Sequence, residues 1–229
     1  MPGRTTILDC HSHRQAPYPA GIVCRTPDAW HPLPGQLYSV GIHPWNIPDD
    51  PAPLLERLAV IAAGAQVAAV GETGLDALRG APMWLQLKVF KAHAELAEEL
   101  CKPLVVHNVR CAQQIVQLRR EWGAAQPWVV HGFRGRPSLL EMLLDAGCAV
   151  SYGERFNAGS VRLTPCDRLL AETDDSQAGI AGVVALLAEA SGEEDIQAFS
   201  GIVAANTARI FNIDSLYNQA GTAGSNISV

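Results

Sequence analysis

The chain has 229 residues, of which 48% are hydrophobic, and a mean hydropathy of +0.08. That supplies core material for one large domain or two small ones and excludes a disordered composition. A formal net charge of -6 argues against a protein that coats nucleic acid through bulk charge, but not against an enzyme that handles phosphate with a few local arginines.

No run reaches the roughly 18 consecutive apolar residues of a membrane span. The start, Met1-Pro2-Gly3-Arg4, lacks the apolar centre of a signal peptide, so a cytoplasmic protein is expected. The six cysteines, at 10, 24, 101, 111, 148 and 166, form no Cys-x-x-Cys pair. They read as reduced, mostly buried small hydrophobes.

Short β-branched runs recur along the chain. Strands are expected over Thr6–Cys10, Gly21–Arg25, Leu37–Ile42, Val67–Gly71, Pro103–Val106, Trp128–Val130, Cys148–Tyr152 and Arg168–Ala171. Helical spacing of apolar residues marks Pro51–Ala63, Pro82–Cys101, Cys111–Trp122, Arg136–Ala146 (ended by Gly147), Gly179–Ala190 and Glu193–Phe211. The two early connections are proline-rich and read as irregular loops. Strands that alternate with helices predict a (β/α)8 TIM barrel with irregular first units, over a single domain spanning 1–212. The alternative is an open doubly wound sheet, but no Gly-x-Gly-x-x-Gly or P-loop follows the first strand. Residues 213–229 are low in complexity and read as a loose tail.

Barrel chemistry sits at the C-terminal strand ends. Of the 7 histidines, all but His31 and His93 fall there: His11, His13, His43, His107 and His131. His31 reads as a loop residue and His93 as a packing residue of its helix. Glu72 closes the fourth strand and Glu172-Thr173-Asp174 follows the eighth. In an extended strand Asp9, His11 and His13 share one face and Cys10 takes the other. Imidazole and carboxylate donors around one mouth suit Zn²⁺, Mn²⁺ or Ni²⁺ better than Mg²⁺. Six such donors exceed one tetrahedral ion and point to two divalent ions bridged by a carboxylate.

His43 reads either as a phosphate contact or as a cap for the loop before Pro44. Asp9 and Glu172 would lie one layer deeper, as partners for an imidazole N–H or as structural carboxylates. Arg14, Arg110, Arg134 and Arg155 fall past strand ends, where they are either phosphate contacts or solvated surface.

The ordered motifs His11-x-His13, Gly-Ile-His-Pro-Trp at 41–45, Gly-Glu-Thr-Gly-Leu-Asp at 71–76, Val-Val-His at 105–107, Val-His-Gly-Phe-Arg-Gly at 130–135, Glu-Thr-Asp at 172–174 and Ala205–Phe211 resemble the TatD family. These are metal-dependent hydrolases of the amidohydrolase superfamily, usually described as deoxyribonucleases. The compressed early loops, Trp45 and Phe133-Arg134-Gly135 resemble a short bacterial subgroup. The resemblance implies that His11, His13 and Asp174 hold one ion, that His107 and His131 hold the other, and that Glu72 bridges. It also implies that Asp174 takes a proton from the attacking water. His43, Arg110 and Arg134 would contact the substrate, with Arg134 the foremost candidate. Where the family pattern often has an aromatic residue after Gly-Leu-Asp, this chain has Ala77. The implied substrate is DNA or a short oligonucleotide, with no membrane and no obligate protein partner. The alternatives are a hydrolase of a small ester, lactone or amide using the same site, and a non-catalytic metal-binding protein.

Overall fold

The computed structural model describes residue 6 and residues 8–213. Residue 7 of the expected first strand and residues 214–229 of the expected tail lie outside that range. Among the described residues, eight parallel strands close a barrel in chain order. They are β1 (Asp9–Ser12), β2 (Gly21–Arg25), β3 (Leu37–Val40), β4 (Val67–Asp76), β5 (Leu104–Val109), β6 (Trp128–Val130), β7 (Ala149–Tyr152) and β8 (Leu169–Ala171). The helices are α1 (Ala52–Ala62), α2 (Met83–Glu99), α3 (Ala112–Trp122), α4 (Pro137–Asp145), α5 (Ala158–Leu163), α6 (Ile180–Ser191) and α7 (Ile196–Ile210). The barrel expectation is borne out. α5 was not foreseen, because six residues hold too little periodicity to read.

Each strand divides its residues between two apolar layers. Val23, Tyr38, Val70, Leu104, Val106, Trp128, Val130 and Val150 pack outward against Leu58, Phe90, Ile115, Leu140 and Val183 of the helices. Ile22, Leu37, Ala69, Val105, Val129, Ala149 and Leu170 fill the inside, and Ile210 and Phe211 at the end of α7 join that inner layer. Burial of one such side chain contributes about 1.5–3 kcal/mol, so the alternation fixes which residues can reach the mouth. Two positions beyond each inward residue the next inward one follows. Val105 is followed by His107, Val129 by His131, and Leu170 by Glu172.

Two strands depart from plain alternation. In β1, Asp9 pairs with Gly21 but Ser12 pairs with Val23, so β1 carries one extra residue. β4 does the same between Val70 and Thr73. Such bulges re-aim side chains beside active sites. In β1 the bulge turns Cys10 inward among Ile22, Val105 and Leu170. The expectation that Cys10 faces away from the barrel interior is therefore corrected. Glu72 also lies inside β4 rather than closing it, and His11 lies inside β1 while His13 follows it.

The long β4 needs its glycines. At Gly74, φ is +151° and a Cβ would stand 2.0 Å from the His107 carbonyl oxygen. Only glycine lets β4 press this closely on β5, and that approach sets Glu72 beside His107.

Candidate metal centre and its mouth

Glu72 is the hub of the site. It is 3% exposed, and its two carboxylate oxygens face different sets of partners. Oε2 stands 3.3 Å from His11 Nε2 and 3.3 Å from His13 Nε2. Oε1 stands 2.7 Å from His131 Nε2, 2.9 Å from His107 Nδ1 and 3.1 Å from His43 Nε2. Asp174 completes the first set, with Oδ1 3.6 Å from His13 Nε2 and 3.9 Å from His11 Nε2.

Backbone hydrogen bonds place Asp174. Its N–H donates to the His11 carbonyl at 3.0 Å, and the His13 N–H donates to its carbonyl at 3.1 Å. β1 is thus continued by a bridge between Ser12 and Asp174. Asp174 has φ +51°, a left-handed conformation that aspartate tolerates better than most residues.

Outer partners orient three of the rings, those of His131, His107 and His43. His131 Nδ1 lies 3.4 Å from Glu172 Oε1, so a proton on Nδ1 donates there, and a cation that displaces the proton Nε2 shares with Glu72 would find a lone pair on Nε2. His107 Nε2 lies 3.4 Å from Asp76 Oδ2, which leaves Nδ1 free toward Glu72. Carboxylates that orient ligand imidazoles in this way are the usual support of a metal site. His43 is different. The Trp45 N–H donates to its Nδ1 at 3.1 Å, so the neutral ring carries its proton on Nε2 and presents a donor. His43 therefore caps its loop and also aims an N–H into the centre.

Asp9 does not behave as parity suggested. Its Oδ1 accepts the Thr173 N–H at 3.0 Å and its Oδ2 accepts the Thr173 hydroxyl at 2.6 Å, and neither oxygen meets an imidazole. The β1 bulge is the cause, because it breaks the two-residue repeat between Asp9 and His11. Asp9 instead ties β1 to the turn that carries Asp174. Burial pushes its carboxyl up to about 7, against the opposing Thr173 hydrogen bonds. Glu172 does meet an imidazole, and it also accepts from the Ser151 hydroxyl.

The electrostatics favour charge inside the centre. Burial raises the Glu72 carboxyl, but the His131 charge and the imidazole hydrogen bonds outweigh it and hold the group well below the carboxylate range. Burial lowers His131, but the Glu72 and Glu172 charges outweigh it and hold the ring well above its usual range. For His13, burial likewise loses to Glu72, Asp174 and Asp175, and the net shift is upward. Protons here stand in for a stronger positive charge.

The donor set fits divalent cations. His11 is fully buried, and neither ring nitrogen makes a well-directed hydrogen bond, although Nε2 stands 3.3 Å from Glu72 Oε2. A buried polar atom left so costs about 1–3 kcal/mol, which a ligand bond would relieve. Ligand atoms of His11, His13 and Glu72, those of His11, His131 and Asp174, and those of His43, Glu72 and His107 each lie within 4.8 Å of one another.

Two cavities meet at Trp45. One, of about 360 Å³, is lined by His13, Cys24, Arg25, His43, Glu72 and Asp174 among others. The other, of about 860 Å³, runs past His107, Arg110, Gln113, Arg134, Arg136 and Asp174. Arg110 and Arg134 thus line the groove that leads to the centre, and sequence reasoning missed Arg136. Arg155 lies with Arg134 on a third depression. Arg14 is committed to the Ser176 and Ala178 carbonyls, so the phosphate role weighed for it is corrected.

Sequence reasoning also overlooked Trp45 and Asp76 as working parts. The Trp45 indole N–H donates to Asp76 Oδ2 at 2.7 Å. The Arg79 guanidinium stacks 3.9 Å from the Trp45 ring centroid, a cation–π contact. His93 is buried on α2, with Nε2 accepting from the Ile42 N–H at 2.9 Å and Nδ1 donating to the Val89 carbonyl at 2.8 Å.

A family profile described as TatD related DNase matches residues 27–212. An uncharacterized metal-dependent hydrolase TatD of Mycobacterium tuberculosis is 31% identical over 152 residues, covering 59% of this chain and 56% of that protein. A protein of Erwinia billingiae named 3'-5' ssDNA/RNA exonuclease TatD is 32% identical over 152 residues, covering 62% of this chain and 58% of that protein. The matched part thus spans a little over half the length of these relatives. The crystal structure of YJJV, a TatD homolog from Escherichia coli K12, superposes with a TM-score of 0.75 at 20% identity, over 91% of this chain and 98% of that one. No described helix is long and apolar enough to cross a membrane.

Proposed function

Because the chain belongs to the family of TatD related DNases, we propose that it is a metal-dependent hydrolase that cleaves phosphodiester bonds in DNA, from an end of a single strand or in short oligonucleotides. The observation that carries this reading is the division of Glu72. One oxygen faces His11 and His13, beside which Asp174 stands, and the other faces His107, His131 and His43. A carboxylate so placed can bridge two cations.

His11, His13 and Asp174 would hold one divalent ion, and His107 and His131 the other. The nitrogen-rich donor set favours Zn²⁺, Mn²⁺ or Ni²⁺ over Mg²⁺. When bound, such a pair lowers the pKa of a water and neutralises charge on the phosphoryl oxygens. Asp174 Oδ1 takes the proton of the attacking water as the new phosphorus–oxygen bond forms and the bond to the leaving oxygen breaks. His43 donates its Nε2 proton in a hydrogen bond to a phosphoryl oxygen. Glu172 and Asp76 keep His131 and His107 in the required tautomers.

The groove past Arg110 and Arg134 suits the phosphates that flank the scissile one, where bidentate guanidinium contacts orient a chain. The name of the Erwinia billingiae relative points the same way. The catalytic domain is taken as 1–212, acting in the cytoplasm, where the unpaired thiols would stay reduced.

The test is hydrolysis of single-stranded DNA, duplex DNA, RNA and a generic phosphodiester by protein loaded with each metal, with metal content measured on the same sample. Turnover on single-stranded DNA that needs added cation supports the reading. Turnover confined to esters, lactones or amides would move the same centre to small substrates, and bound metal without any turnover would make the protein a metal binder.

A further inference from the structure

Cys24 stands on β2 two residues beyond the inward-facing Ile22, in register with Ser39 of β3. Alternation therefore turns its side chain into the barrel, at the level of the metal centre. It is 6% exposed and lines the cavity of about 360 Å³ together with His13 and Glu72. Its sulfur, a nitrogen each of His11 and His13, and a Glu72 oxygen all lie within 4.8 Å of one another. Ligands of one tetrahedral ion bonded at about 2.0–2.3 Å stand roughly 3.3–3.8 Å apart, inside that limit.

A second observation makes this more than a buried thiol. His11 is fully buried, and its Nε2, turned toward the same space and 3.3 Å from Glu72 Oε2, makes no well-directed hydrogen bond. Two imidazoles, one carboxylate and one sulfur form a four-donor set, and Asp174, beside His11 and His13, is the fifth donor. Sulfur changes the character of that set, because thiolate selects Zn²⁺ and other thiophilic ions over Mn²⁺ and Mg²⁺.

We propose that Cys24 is a sulfur ligand to the cation held by His11, His13 and Glu72, so that this half of the centre is a zinc-type site while the His107–His131 half has nitrogen and oxygen donors alone. The metal–sulfur bond forms as the thiol proton leaves for solvent through the open cavity, and nothing is oxidised or reduced. The two halves then differ in preference. The sulfur-bearing half keeps Zn²⁺ or Cd²⁺ where the other exchanges among Zn²⁺, Mn²⁺ and Ni²⁺. The inference rests on the reading that His11, His13 and Glu72 hold a cation.

The experiment adds Cd²⁺ or Co²⁺ to metal-free full-length protein and follows the ultraviolet sulfur-to-metal charge-transfer band. The wild type should develop the band. C24S should lose it while still binding an ion through nitrogen and oxygen. The double variant C101S/C166S, which removes the two exposed thiols, should keep it. Competition should show the preference for Cd²⁺ over Mn²⁺ falling at least about tenfold in C24S. A band that survives in C24S, or a wild type that binds the ion without one, overturns the inference and leaves the proposed hydrolase standing. A wild type that binds no ion overturns both. Should C24S not fold, the X-ray absorption spectrum of zinc-loaded wild type decides alone. About half a sulfur neighbour per zinc, one sulfur averaged over the two ions, supports the assignment, and a shell of only nitrogen and oxygen refutes it.

Discussion

Replacing Glu72 by glutamine tests the hub with the least change of shape. The amide fills the same volume but removes the charge. It also sets an NH₂ group against nitrogens that now lie within 3.3 Å of a carboxylate oxygen. Two unit charges about 4 Å apart interact by roughly 4 kcal/mol at an effective dielectric of 20. That is close to a thousandfold in an equilibrium constant, and Glu72 is shared between two dications in this account. Calorimetric titration of metal-free wild type and Glu72→Gln with Zn²⁺ or Mn²⁺ should therefore show affinity falling at least about a thousandfold. Turnover on a single-stranded oligonucleotide should fall with it. A second readout needs no metal. The Glu72 charge helps hold His131 above its usual range, so that ring should titrate lower in the variant when followed by NMR. A variant that binds both ions within tenfold of wild type would refute the reasoning.

Asp174→Asn should keep the fold, because the backbone bonds to His11 and His13 remain. It should lower kcat by about 10²–10⁴, the usual worth of a general base, as read by single-turnover hydrolysis beside an unchanged melting curve. Arg134→Ala should cost about 1.5–3 kcal/mol in kcat/KM on oligonucleotides, the value of a hydrogen bond to a charged group. It should change hydrolysis of a minimal phosphodiester far less, and equal losses on both would remove Arg134 from the groove. His93 supplies a pH prediction. Burial holds its ring at about 4 against an ordinary 6.5, so between those values the unfolded chain binds the extra proton and stability falls as pH drops. Denaturant unfolding at pH 7 and pH 5 should show a loss of about 2 kcal/mol in wild type beyond that of His93→Gln. Parallel curves would contradict it.

The barrel was legible because its strands are runs of β-branched residues whose outward and inward faces are both apolar. Gly21–Arg25 and Trp128–Val130 were bounded as the structure has them, and both end where polar residues or turns begin. Val67–Gly71 was stopped too early, because Gly-Glu-Thr-Gly reads as a turn, yet here the glycines serve a close strand contact inside β4. The bulge in β1 was invisible. It follows from pairing with β2, a long-range contact with no local sign, and it misled the placement of both Asp9 and Cys10.

Within the site, the seven polar residues now around the centre stood at strand ends and could be gathered from the sequence. What could not be read was which oxygen or nitrogen faces which. The tautomers of His43 and His107 depend on Trp45 and Asp76, which are distant in role if not in sequence. Cys24 had a signal that went unused. It shares parity with Ile22 on a strand whose bounds were already right, but cysteine in an apolar run is ordinarily packing material.

The most direct test of the central claim is anomalous diffraction from crystals loaded with Zn²⁺ or Mn²⁺. The account predicts two peaks about 3.5–4 Å apart, one among His11, His13 and Asp174 and one beside His107 and His131, with the Glu72 carboxylate between them. A single peak, or two that lie away from Glu72, would contradict it.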